Sequence, residues 1–333
     1  MLAKTATRVA TGLLVATSMS IAAKGTAGES VALSPRVAQR VSACVAGHAF
    51  EVADAVVELT FDPGAFTVGA IPVCTWAAQA ATAVAVYFGR FPVPHVHMVI
   101  RSVEGSGVQG GTTFADGDSD GRPLSVIRLG REATRADLDR DWVMTHEMVH
   151  LAVPSVPRTS HWLEEGIATY VEPIARAQQG QVSTEQVWAD MLHGMPKGLP
   201  VAGDRGLDHT PTWGRTYWGG ALFCLLADVE IRRRTGNRAG LREALRGVIA
   251  AGGNIEQTWT VTKILKTADD AVPDRGVLGK LYAEMAAAPG PKDIEWLWRQ
   301  LGVVAAGDGV RFADDAPAAA IRKAITAADA GPS

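Results

Sequence analysis

The sequence predicts an α+β fold, with a mixed N-terminal part carrying a small sheet and a mainly helical C-terminal part. Alternating, β-branched segments of strand type all fall before residue 130. After Asp141 the apolar residues recur at helical spacing, interrupted at Gly180, Gly236, Gly252-Gly253 and Pro289. At 47% hydrophobic and 20% charged, the composition is that of an ordinary globular chain with enough apolar residues for a sizeable core. A formal net charge of -3 gives no electrostatic reason to expect nucleic acid as a partner.

In chain order, Lys4 and Arg8 precede a weakly apolar stretch from Val9 to Ala23 and small residues near Ala27. This is the pattern of a secretory signal peptide over residues 1–27, with an uncleaved anchor as the alternative. No later stretch is read as a membrane span, so a secreted or periplasmic chain without a stable span is expected once the leader is removed. Residues 28–140 then form the mixed lobe and 141–333 the helical one. Of the three cysteines, Cys44 and Cys74 share the N-terminal region and are expected to bridge, whereas Cys224 lies in an apolar helical run and is expected to be a buried hydrophobe.

Within the mixed lobe an early helix follows Ser34, a strand covers Ala55 to Phe61, Asp62-Pro63-Gly64 turns, and an Ala-rich helix runs from Thr75 to Phe88. Strands are expected over His95 to Val103, Val108 to Phe114 and Leu124 to Leu129. His95 and His97 alternate on one strand face and read as surface or packing histidines in preference to metal ligands. Gly105 to Gly110 matches G-x-G-x-x-G, but strand and not helix follows, which removes the dinucleotide reading. Asp116 to Gly121 begins like a calcium loop but has Ile127 where a bidentate Glu is needed, so an acidic hairpin turn is the better reading. Arg232-Arg233-Arg234 is expected to be a solvated helix end before Gly236.

The chemistry centres on His146-Glu147-Met148-Val149-His150, an H-E-x-x-H pentad inside an apolar run that Pro154 and Pro157 terminate. On a helix, His146 and His150 lie four apart on one face and can close on a single zinc ion. Glu147 is one position off that line, where its carboxylate can serve as a general base without capping the metal. A catalytic zinc needs a third protein ligand. Twelve residues after His150 comes a second helical segment, Trp162-Leu163-Glu164-Glu165-Gly166-Ile167-Ala168-Thr169-Tyr170-Val171-Glu172.

Here the chain resembles the gluzincins, zinc peptidases whose third ligand is a glutamate on the following helix. In the aminopeptidase N and glycyl aminopeptidase families that helix opens W-L-x-E-G-x-x-x-Y. The resemblance implies Glu165 as the third ligand, with His161 as a rival and Glu164 turned about 100° away on the helix. Glu172, two turns on, reads either as an orienting partner of a ligand or as a solvated salt-bridge residue. Tyr217-Trp218-Gly219-Gly220-Ala221 is similar to the Y-x-x-G-A block of the same families, which implies Tyr217 as an oxyanion donor; otherwise it is a packing tyrosine. The three blocks lie in family order between Asp141 and Leu245. The resemblance implies a thermolysin-like fold in which the two lobes meet at zinc, and a peptidase acting on peptide or protein substrates. The acidic motif that holds the substrate amine in the aminopeptidases has no counterpart on the strand Gly110 to Phe114. Two other readings stay open: a zinc-stabilised binding or structural protein, and a zinc hydrolase of a non-peptide amide or ester.

Overall fold

The computed structural model describes residues 33–61 and 64–328. The expected leader, and Asp62 and Pro63 of the expected turn, lie outside the described residues. Helix α1, Pro35–Gly47, starts where its pattern requires: Ser34 caps the Val37 amide and Pro35 occupies the first turn, where its missing N–H costs nothing. Strands β1 (Ala49–Val52) and β2 (Ala55–Phe61) form a hairpin that sequence reasoning missed. Its two turn residues, Ala53 and Asp54, have φ of 45° and 64°, a left-handed pair usually signalled by Asn or Gly.

Helix α2, Ala70–Phe88, begins five residues earlier than the Ala-rich pattern implied, because Pro72 sits in the first turn, where amide donors have no helical partner. Its 19 residues, of mean hydropathy 1.4, are long and apolar enough to cross a membrane, contrary to the expectation that no later stretch would be, yet 72% of the window is buried inside the fold. It is the core helix of the N-terminal part. The disulfide Cys44–Cys74 staples α1 to it, as expected. Cys224 is free and buried.

Strands β3 (His95–Val103), β4 (Val108–Phe114) and β5 (Leu124–Gly130) complete a five-stranded sheet in the order β1-β2-β3-β5-β4. The pairs β2/β3 and β3/β5 are parallel, β1/β2 and β4/β5 antiparallel, so that among the described residues β4 is an edge strand with one side unpaired. Asp118 closes the β4–β5 turn by accepting from the amides of Asp120 and Arg122 and from the Arg122 side chain. His95 bonds to Glu58 and His97 to Thr60, the surface roles expected of them.

Beyond the short α3 (Arg135–Arg140), helix α4 (Val143–His150) lies against α2 and β4. Then follow α5 (Trp162–Gln178), α6 (Thr184–Gly194), α7 (Gly220–Thr235), α8 (Leu241–Ala250), α9 (Val261–Asp270), α10 (Val277–Met285) and α11 (Glu295–Leu301). A second hairpin, β6 (Val303–Ala306) with β7 (Gly309–Phe312), and α12 (Ala319–Thr326) end the described chain. The C-terminal segment is firmly packed: Arg322 is buried on α12 and donates to the carbonyls of Leu301 and Gly302. Arg232 also departs from expectation, being buried in an ion pair with Asp228, while Arg233 and Arg234 pair with Glu230 near the helix end.

Asp141 joins α2 to the start of α4. Its Oδ2 accepts from the Met144 amide and from Trp76 Nε1, each at 2.9 Å. Burial pushes its carboxyl up to about 6 despite these donors. A carboxyl whose folded pKa lies above its unfolded value of 3.8 binds protons in the folded state that the unfolded state has lost, so its contribution declines as pH rises between those values. Wild type should therefore lose stability relative to Asp141→Asn as pH goes from about 4 to about 6, as measured by denaturant unfolding; parallel pH profiles would contradict this.

Candidate metal centre

The α4 spacing acts as its sequence requires. His146 and His150 stand on one face with ring centroids 4.9 Å apart, nearly perpendicular. Glu165, in the first turn of α5, meets them: its Oε2 is 3.1 Å from His146 Nε2 and 3.5 Å from His150 Nε2. The three ligand-type atoms lie within 4.8 Å of one another, and among the described residues no other His, Cys, Asp and Glu group converges in this way. Tetrahedral zinc with bonds near 2.0–2.1 Å places ligand atoms roughly 3.3 Å apart, so this donor set and spacing fit that ion. His146 and Glu165 are buried and His150 is partly so. For Glu165, burial opposes the charged form, but His150, His146 and His161 hold its carboxyl well below the usual range. Burial alone would depress His150; the charge and hydrogen bond of Glu165 instead raise it to about 9.

His161 lies outside the ligand cluster. Its Nε2 is 3.1 Å from Glu165 Oε1, the oxygen not shared with His146 and His150, and its Nδ1 is 2.6 Å from Glu164 Oε2. Glu164 in turn accepts from the Val156 amide. With a carboxylate on each ring nitrogen, His161 is raised to about 10 by Glu164 first and Glu165 second. It orients Glu165, a role that i, i+4 spacing on a helix start could have signalled. Glu172 is a salt-bridge residue, but a buried one and not solvated: its partner is Arg176 at 2.8 Å, and the charge of His146 also acts on it.

Glu147 points from α4 to edge strand β4. Its Oε2 accepts from Thr113 Oγ1 at 2.7 Å, and Thr113 is linked to the buried Ser125 hydroxyl at 2.9 Å. Gly111 makes this approach possible, since a Cβ there would lie 2.5 Å from Glu147 Cγ. No signal in the sequence names Thr113, because its place opposite α4 comes from strand order.

Tyr217 is carried to the cluster on a π-helical turn, Arg215–Gly219, that leads into α7. Its ring stacks on His146 at 6.3 Å between centroids with 19° between planes. Burial, then the charges of Glu165 and Glu147, raise its pKa far above the ordinary value, so the phenol keeps its proton as a donor. Arg215 anchors the turn: it is buried, ion-paired to Asp204 at 2.9 Å and donates to Gly198 O. Gly220 lies against α5 backbone, where a Cβ would sit 2.2 Å from Trp162 O and 2.7 Å from Gly166 Cα. The glycine of the W-L-x-E-G block and the second glycine of the Y-x-x-G-A block therefore form one helix crossing.

The sequence matches no protein-family profile and no curated protein. Its structure is similar to that of an aminopeptidase N family protein from Idiomarina loihiensis, with a TM-score of 0.54 at 10% identity over 77% of this chain and 49% of that one. It also aligns with an M1 zinc metallopeptidase from Deinococcus radiodurans at a TM-score of 0.45 and 15% identity, over 73% of this chain and 53% of that one. A variant of an M1 zinc metallopeptidase from the same organism, bound to a Tyr-Ser-Ala substrate, aligns at 0.45 and 14% identity over 73% and 52%. The chain thus spans about half the length of these structures, and what it shares with the Idiomarina protein is fold.

If Glu165 is a ligand and His161 its orienting partner, Glu165→Ala should abolish metal retention, whereas His161→Ala should weaken metal affinity roughly 10–100-fold with stoichiometric binding still attainable. Elemental analysis and competition with a chelator measure both. Retention in Glu165→Ala with complete loss in His161→Ala would exchange the two roles.

Proposed function

We propose that the chain is a zinc-dependent peptidase of the gluzincin type, with His146, His150 and Glu165 holding the metal. The observation that carries this reading is the convergence of Glu147 and Tyr217 on a three-donor cluster: a structural zinc is ordinarily closed by four protein ligands and needs neither a base nor a phenol. Zinc, when bound, supplies Lewis-acid chemistry that polarises a carbonyl and lowers the pKa of water. Glu147, steadied by Thr113, takes a proton from the attacking water and passes it to the leaving amine. Tyr217, kept protonated by its surroundings, donates a hydrogen bond to the developing oxyanion.

The unpaired edge of β4 offers main-chain donors and acceptors to an extended peptide beside Glu147. Internal cleavage follows as the expected specificity. Two acids from elsewhere in the chain, Glu172 and Asp118, are engaged by Arg176 and Arg122. The Cys44–Cys74 bridge supports an oxidising compartment, in keeping with export through the leader read at 1–27.

Glu147→Gln is expected to keep zinc and fold while losing nearly all turnover, and full activity in that variant would remove this mechanism. Tyr217→Phe should lower kcat on the order of 100-fold, with KM and zinc content little changed. A fully active Phe variant would return Tyr217 to packing. Cut sites mapped by mass spectrometry in a mixed peptide library should be internal and indifferent to N-acetylation. Release of single N-terminal residues, abolished by acetylation, would establish an aminopeptidase, and hydrolysis confined to non-peptide esters or amides would replace the peptidase reading.

A further inference from the structure

Two tryptophans next to the cluster are exposed in a way that core packing does not explain. Trp142, at the start of α4, is 48% exposed and Trp213 is 51% exposed, as is Trp296 on α11 at 46%, whereas Trp162, Trp188 and Trp298 are buried. Both touch functional residues. The Trp142 ring meets His146 edge-on at 5.3 Å, and Trp213 stacks on Tyr217 at 5.8 Å with 27° between planes. With the His146–Tyr217 stack, the four rings form one continuous series, Trp142–His146–Tyr217–Trp213, whose two ends face water. Each pair is four residues apart on a helical turn, so the indoles are held on the same face as the groups they flank.

Resting on the peptidase reading, we infer that Trp142 and Trp213 are the specificity-determining walls of the cleft and select a peptide carrying a large apolar or aromatic side chain beside the scissile bond. An occupant held between Glu147 and Tyr217 lies beside these rings, because Trp142 meets His146 and Trp213 stacks on Tyr217. Half-exposed indoles regain by contact the apolar burial they lack in the free protein. A basic side chain could also stack on an indole face. The carboxylates nearby are already engaged, however: Glu147 by Thr113, Glu165 by the histidines, Glu164 by His161 and the Val156 amide. Glu147 keeps its charge but is turned to β4 by Thr113, and the indoles themselves offer apolar surface, so the aromatic faces favour an apolar group.

The test uses the full chain and N-acetylated, C-amidated peptides that differ at one position, occupied by Phe, Leu, Ala or Lys and moved in turn to each side of the cut. Wild type should hydrolyse the Phe or Leu peptide with kcat/KM at least about tenfold above the Ala peptide on one side. Trp142→Ala or Trp213→Ala should collapse that ratio by lowering the Phe or Leu peptide far more than the Ala peptide; the Phe replacements should keep most of it. Calorimetric titration of Glu147→Gln with the same peptides reads selection without turnover. Preferential binding of the Phe peptide, lost with the tryptophans, while wild type cleaves no peptide would uphold this inference and sink the peptidase reading. The inference is overturned if the tryptophan variants lower every peptide alike, if the Lys peptide is preferred, or if neither titration nor hydrolysis distinguishes the peptides.

Discussion

The contact on which the site depends is a backbone crossing, Gly166 of α5 against Gly220 of α7. Glu165 precedes the first glycine by one residue and Tyr217 precedes the second by three, so the separation of the two helices sets the separation of carboxylate and phenol. A methyl group at either position would meet backbone at under 2.5 Å, and backbone cannot step aside as a flexible side chain can. The glycines of two distant blocks are thus explained together, by packing.

A second constraint is charge. Glu165 is buried, and a lone buried carboxylate would take up a proton. Three histidines prevent this, two on one oxygen and His161 on the other. The outer contacts continue to Glu164 and the Val156 amide, so the turn that joins the two site helices is tied to the same network. Burial that would otherwise be costly becomes a means of fixing the carboxylate's direction.

The sheet contributes through its edge. Because β4 pairs only with β5 among the described residues, one side of its backbone is an edge while Gly111 and Thr113 receive Glu147. The same strand therefore steadies the candidate base and offers the hydrogen-bonding edge a peptide would use.

Much of this was legible in the residues. The H-E-x-x-H pentad placed His146, Glu147 and His150 through helical periodicity alone, and the bounds of β2, β3 and β4 followed from alternation, because these are local, short-range signals. The motif resemblance pointed to Glu165 and Tyr217, and the distribution of cysteines to the Cys44–Cys74 bridge. What the sequence could not supply are relations between segments far apart along the chain. The partnership of Thr113 with Glu147 depends on strand order, the Gly166–Gly220 crossing on how two helices pack, and the burial of Arg322 and Arg232 on which surfaces other helices cover. The β1–β2 hairpin escaped because Ala53 and Asp54 adopt left-handed backbone that their side chains do not announce. Periodicity carries information along one element, whereas the contacts that hold a base, orient a ligand and line a cleft arise only when elements meet.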